Sequence, residues 1–214
     1  MDAQTYSSIV AMCAGLAGRL SDDVLGVVRE HYSAGEWELA ESALLLGLRN
    51  ETIGITGVEA DAIRSVLEDP NTPDLAAVTI IEALPPRAYS FQPTGPSTAP
   101  TSRSADQLLS AAAPRHGGLD LRRAWREPLA DVSGTGTWTY LLLVVPGTDE
   151  LPTYAGLSSE LWVGLHEKWP VEVVAMGCQL SPYQAAVWSV AQPVWSAAPM
   201  APPDQDAPAA NRPS

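Results

Sequence analysis

Two runs in the second half of the chain, "TWTYLLLVV" (137–145) and "VEVVAM" (171–176), constrain its fold most. Both are rich in β-branched or aromatic residues. Both also turn apolar side chains to odd and even positions, as a strand buried on two faces does. Between them Leu157, Leu161, Leu165 and Trp169 recur at four-residue steps, which predicts a helix from about Leu157 to Trp169. Strand, helix, strand in that order predicts a parallel pair joined by a crossover. "LDLRRAWRE" (119–127) supplies a third strand. Ser181 and Pro182 open a final helix that turns Tyr183, Val187, Val190 and Val194 inward.

The first half has a different period. Tyr6, Ile9, Val10, Cys13 and Leu16 recur at three- and four-residue steps, predicting a helix over residues 3–19. Ser21, followed by Asp22 and Asp23, caps a second helix that carries Val24, Leu25, Val28 and Tyr32 and stops at Gly35. "EWELAESALLLGLRN" (36–50) is a third helix, apolar on nearly all sides from Ala43 to Leu48, which places it in the middle of a bundle. Thr56 and Glu59 form a capping box ahead of a fourth, with Val58, Ala62, Ile63, Val66 and Leu67 inward.

Within this unit "HYSAGEWELAESALLLGL" resembles the turn and second helix of a tetratricopeptide-type hairpin. Gly35, Trp37, Ala40 and Leu44 stand where that pattern has glycine, an aromatic, alanine and a bulky residue. The resemblance implies a helical hairpin of the kind used in protein-binding scaffolds. It covers one unit of the period, Val28 replaces an expected glycine, and no proline closes the repeat. Solenoids need about three stacked units, so the match bears on local packing.

Residues 76–114 change character. "VTIIEA" (78–83) and "RAYSF" (87–91) read as short strands, "QPTGPSTAPTSRS" (92–104) as linker, and 105–112 as a short helix with Leu108 and Leu109. From residue 197 the chain is Pro- and Ala-rich, which predicts a disordered tail. The expected fold class is therefore α+β: an N-terminal four-helix unit (1–75), a Pro-rich connector (76–114), and a small C-terminal α/β unit (115–196) with about three strands and two helices.

Net charge is −13, and residues 1–75 hold thirteen acids against four arginines. Such a surface repels phosphate backbones and anionic lipid, so direct nucleic-acid and membrane binding are not expected. It favours a basic protein partner instead. Glu36, Glu38 and Glu41 are the candidate acidic contacts, and Trp162 and Trp188 the candidate aromatic anchors. "IVAMCAGLA" (9–17) follows Asp2 where a secretory leader carries positive charge, and no run approaches the roughly 20 apolar residues of a membrane span. A cytoplasmic protein with two buried free thiols, Cys13 and Cys178, is the expectation.

Catalytic motifs are poorly supplied. "SGTGTW" (133–138) precedes a strand, the wrong context for a dinucleotide loop, and the one lysine, Lys168, lies in "LHEKWP", outside any phosphate-loop pattern. Lys168 falls in the last turn of the predicted helix, where the dipole favours cations. Asp149 and Glu150 follow the best strand but are adjacent acids on a loop. Neither a cofactor nor a metal site is expected from two cysteines and three scattered histidines. The one cluster with catalytic potential is "PRHGGLDLRRAWRE" (114–127): His116 with Asp120 as an oriented base, Arg122 and Arg126 on one strand face as an anion clamp. Two functions follow. The first is a non-enzymatic interaction protein, of immunity, antitoxin or adaptor type, that binds a basic partner through acidic helices. The second is a small hydrolase or transferase acting on an anionic substrate through that cluster.

Overall fold

The computed structural model describes residues 2–129 and 134–198. The chain opens with three helices, α1 (Ala3–Leu16), α2 (Asp22–Ala34) and α3 (Trp37–Asn50). Two of the three starts are capped by a side chain: Asp2 accepts the Thr5 amide, and Ser21 accepts the Val24 amide. Gly35, at φ 76°, ends α2 in the left-handed conformation that costs a glycine nothing, and α3 then folds back along α2. α2 and α3 thus form a helical hairpin about Gly35.

A two-residue strand β1 (Ile55–Thr56) leads into α4 (Gly57–Arg64), where the Thr56–Glu59 capping box forms in both directions. A short α5 (Pro73–Ala76) and β2 (Ile80–Ile81) close the unit, with β2 pairing parallel to β1. Val58 and Ala62, expected inward, are exposed, Val58 at 81%, because α4 turns its Ala60 and Ile63 face to the core; Ile63, Val66 and Leu67 are buried as expected. Nor does α3 lie in the middle of its bundle. It buries Ala40, Leu44, Leu45 and Leu48, while Leu39 and Leu46 remain 53% and 52% exposed.

The second half is built on one five-stranded sheet. β3 (Tyr89–Gln92) precedes α6 (Arg103–Ala112) and a 3-10 turn (Ala113–His116). Then come β4 (Gly118–Pro128), β5 (Thr137–Val144), α7 (Glu150–Leu165), β6 (Val171–Ala175), α8 (Pro182–Val190) and β7 (Gln192–Ser196). β4 and β5 are antiparallel, β5 and β6 parallel as expected, with α7 as the connection. The outer edge of β4 is shared: β3 pairs with Trp125–Pro128, and β7 with Asp120–Arg123.

Trp138, Tyr140, Leu142 and Val144 of β5 face α6 and α7, while Leu141 faces α8 together with Ala124, Val174 and Val187. A period of two thus feeds two cores from one strand. The α+β class holds. The sheet has five strands, not three, because the connector contributes β3 and the last helix ends early. Pro193 lacks the amide a helix needs and biases Gln192 away from helical angles, so Val194, expected inward on that helix, stands in a strand.

α7 differs at both ends. It starts at Glu150 with Pro152 in its first turn, where the missing amide is harmless, and stops at Leu165. His166 caps it at φ 55°, leaving Lys168 in the extended link to β6 rather than in a helical turn. The thiols differ from expectation too: Cys13 is buried, but Cys178 is exposed in the turn after β6. Residues 199–214, expected to be disordered, lie outside the described residues.

The two halves are joined by buried polar contacts. Arg29 of α2 donates through Nη2 to both carboxylate oxygens of Glu172 on β6, at 2.9 and 3.0 Å, and through Nη1 to the Val171 carbonyl. Gln184 of α8 donates to the same carboxylate at 2.9 Å, and Tyr154 lies under the guanidinium. Burial pulls the Arg29 pKa down, but Glu172, Cys13 and Tyr154 together pull it up further, and it ends above its ordinary value. On the α8 side Arg126 of β4 clamps Asp22, at the start of α2, and donates to the Tyr183 hydroxyl at 3.1 Å. No described helix is long and apolar enough to cross a membrane.

Candidate functional site

α3 carries the most unusual surface. Leu39, Ser42 and Leu46 recur at steps of three and four, so they form one exposed stripe along the helix. Glu38 and Glu41 border it on one side. Glu68, in the chain after α4, comes up beside them and gives its backbone amide to Glu41 Oε1 at 2.9 Å. Partial burial raises the Glu41 pKa, and the neighbouring Glu68 and Glu38 charges push it the same way.

The other acids of the first 75 residues are mostly engaged. Glu59, Asp61 and Asp74 pair with Arg19, Arg64 and Arg49 of the same unit, and Asp22 with Arg126. Glu51 holds Ser21, Glu30 accepts from Ser158, and Glu36 contacts His31 Nδ1 at 2.6 Å. The fourth arginine of the unit, Arg29, points away from all of them to Glu172. Among the described residues no cation is within ion-pair reach of Glu38, Glu41 or Glu68.

The candidate aromatic anchors stand elsewhere. Trp162 is 52% exposed on α7, edge-on to the His166 ring, with Val163 beside it at 73%. Trp188 is half-buried on α8, on the opposite side of the sheet, and the Arg122 guanidinium covers it at 4.1 Å. The structure therefore brings Glu38 and Glu41 together with Glu68, keeps Glu36 with His31 at the head of α3, and sets the two tryptophans on other helices.

The His/Asp/Arg cluster is not gathered into one pocket. His116 ends the 3-10 turn and packs against Gly156 of α7, where a Cβ would collide with its ring. Burial lowers its pKa, and neighbouring Arg115 lowers it further. Asp120 makes no bond to it, pairing instead with Arg122 at 2.8 Å. Arg122 and Arg126 do share a strand face, as alternation requires. Each is already engaged, Arg122 by Asp120 and Trp188, Arg126 by Asp22, Tyr183 and the Tyr89 ring at 4.4 Å. Arg126 is held as a structural clamp, Arg122 is held through Nε and its ring contact, and His116 bonds to neither, so the cluster does not converge on one anion site.

Among the described residues no group of three or more His, Cys, Asp or Glu side chains is placed to hold a metal ion. The residues that sequence reasoning missed are Leu39, Leu46 and Glu68. The leucines looked like core because their helix is apolar all round. Glu68 is brought to α3 only by the packing of the segment after α4. No protein-family model, curated protein or solved structure matches this chain.

Proposed function

We propose that this protein is a non-enzymatic interaction protein that binds a basic protein partner through the exposed face of α3. The observation that carries this reading is the α3 stripe itself: Leu39 and Leu46 half exposed beside Glu38, Glu41 and Glu68, three carboxylates with no cation in ion-pair reach among the described residues. Apolar anchors beside uncompensated charge are what an amphipathic, Lys- or Arg-bearing segment requires. The leucines supply buried area, and the carboxylates supply steering and register. The chain's charge of −13 adds a long-range field of the same sign. A cytoplasmic setting, and an immunity, antitoxin or adaptor role, belong to the same proposal.

The test is capture from lysate of the source organism with two baits, wild type and Glu38→Lys/Glu41→Lys, across a salt series. A partner of basic composition is expected on the wild-type bait at low ionic strength, weakened by salt because exposed charges are screened beyond about 8 Å at 0.15 M. It should be lost from the charge-reversed bait. The same proteins on both baits, or none at any ionic strength, would overturn the proposal. Leu39→Asp, on an exposed position, separates the apolar contribution: it should weaken capture at all salt concentrations while leaving Tm close to wild type.

A further inference from the structure

A cleft of about 140 Å³ opens where the α1–α2 turn, the segment before β3 and the start of α8 meet. Its walls are apolar: Ala17 and Gly18 on one side, Leu84, Pro85 and Pro86 on another, and the rings of Tyr89, Phe91 and Tyr183. The rings are fixed from behind. Tyr183 meets Phe91 edge-to-face at 5.2 Å and donates no freedom to the cleft, because Arg126 holds its hydroxyl and also covers the Tyr89 ring. Gly18, at φ 72°, completes the wall, since a Cβ there would run into the Tyr183 ring. A largely apolar concavity with a few placed polar groups is the usual form of a small-molecule site.

Charge decides what kind of molecule fits. Arg19 and Glu59 line the cleft but neutralise each other, and Arg19 is further held by the Gly54 carbonyl. Arg126, behind the rings, is neutralised by Asp22. Arg87 also lines the cleft, is exposed, and has no carboxylate partner among the described residues. The Arg19 Nε–H, next to the same wall, also lacks an acceptor. An apolar cleft with one uncompensated guanidinium complements a single negative charge on an apolar body, a local match that acts against the −13 field of the chain.

We propose that this cleft binds a small amphipathic monocarboxylate, an acyl or aryl acid, with its apolar body against Tyr89, Phe91 and Tyr183 and its carboxylate on Arg87. The site is separate from the α3 surface, so either stands without the other.

The probes are decanoate and, as its uncharged counterpart, decanol, titrated into the 15N-labelled full chain with chemical shifts as the readout. Saturable shifts confined to Gly18, Phe91, Arg87 and their neighbours are expected with decanoate, with decanol binding more weakly. Arg87→Gln changes an exposed side chain and should weaken decanoate roughly tenfold, as loss of one charge-assisted contact does, while leaving decanol unchanged. Gly15→Leu is the second variant. Gly15 lines the cleft, and a Cβ built there meets nothing within 4 Å, so the larger side chain fills the cleft without a clash on the helix. It should keep the fold and abolish the decanoate shifts. Shifts spread over the surface, absence of saturation, or equal affinity for acid and alcohol in wild type and Arg87→Gln would each overturn the site.

Discussion

At the residue scale Glu41 shows how a surface acid comes to oppose folding. Its carboxyl is partly buried and faces Glu38 and Glu68, so its pKa rises above the ordinary 4.5. A raised folded-state pKa means that the folded protein holds the proton more tightly than the unfolded chain does. The stability linked to this group is fully present below 4.5 and is lost as pH rises through the higher folded value. Glu41→Gln keeps the acceptor that Glu68's amide uses and removes the charge. It should raise Tm by about 1–2 °C at pH 7, a small gain because the group is largely solvated, and the gain should vanish in melts below pH 4. The two thiols give a second contrast. Burial lifts Cys13 to a pKa of about 11, whereas Cys178 is exposed. A thiol reagent at neutral pH should label Cys178 at once and reach Cys13 only in denaturant; equal labelling rates would contradict the packing of α1.

Among the elements, the α2–α3 hairpin depends on close approach. Gly47 sits where a Cβ would collide with Val24 Cγ1 on α2, and Val24 is stiff at χ1. Gly47→Ala gains roughly 1 kcal/mol of helix propensity, yet overpacking costs about 1–3 kcal/mol, so a net loss in denaturant melts is expected. Adding Val24→Ala should recover most of it by making room. A simple gain from Gly47→Ala alone would show that the hairpin is looser than drawn. β7 depends on a different residue. It exists because Pro193 stops α8, and it covers the half of the β4 edge that β3 leaves open. An uncovered edge is a template for other chains, so removing residues 192–198 should promote self-association measurable by light scattering.

For the whole molecule the decisive contact is Arg29 with Glu172, which ties the helical half to the sheet through groups that are buried on both sides. Removing one partner strands the other. Arg29→Met should cost about 3–5 kcal/mol, whereas Arg29→Met together with Glu172→Met should lie much closer to wild type, because a buried pair replaced by apolar groups leaves no orphaned charge. Both halves should melt together in the wild type, seen as one transition by tryptophan fluorescence and far-UV dichroism. Arg29→Met is the variant in which the two signals should separate. Equal losses for the single and double variants would mean that the pair is not the link between the halves.

Most elements were legible because each has a local cause. The caps at Ser21 and Thr56, the stop at Gly35 and the apolar strands at 137–145 and 171–176 all act within a few residues of themselves. The early end of α8 was missed, with Val194 read as helical, although Gln192-Pro193 is a local signal for it. The strand at Tyr89–Gln92 was legible only as a short apolar run, whose pairing with the end of β4 depends on a partner more than thirty residues away. The candidate site was half legible: Glu38 and Glu41 come from composition, but nothing local tells an exposed leucine from a buried one on a helix apolar all round.

By itself the sequence determined the periods, the caps and the excess of acid, because those are set by neighbours along the chain. The tertiary structure alone decided which acids keep a counter-ion, which leucines stay in water, and that Arg122 lies against Asp120 and Trp188 while Arg126 lies against Asp22 and Tyr183. Exposure and pairing are set by residues distant in sequence, and only the packed chain brings those together.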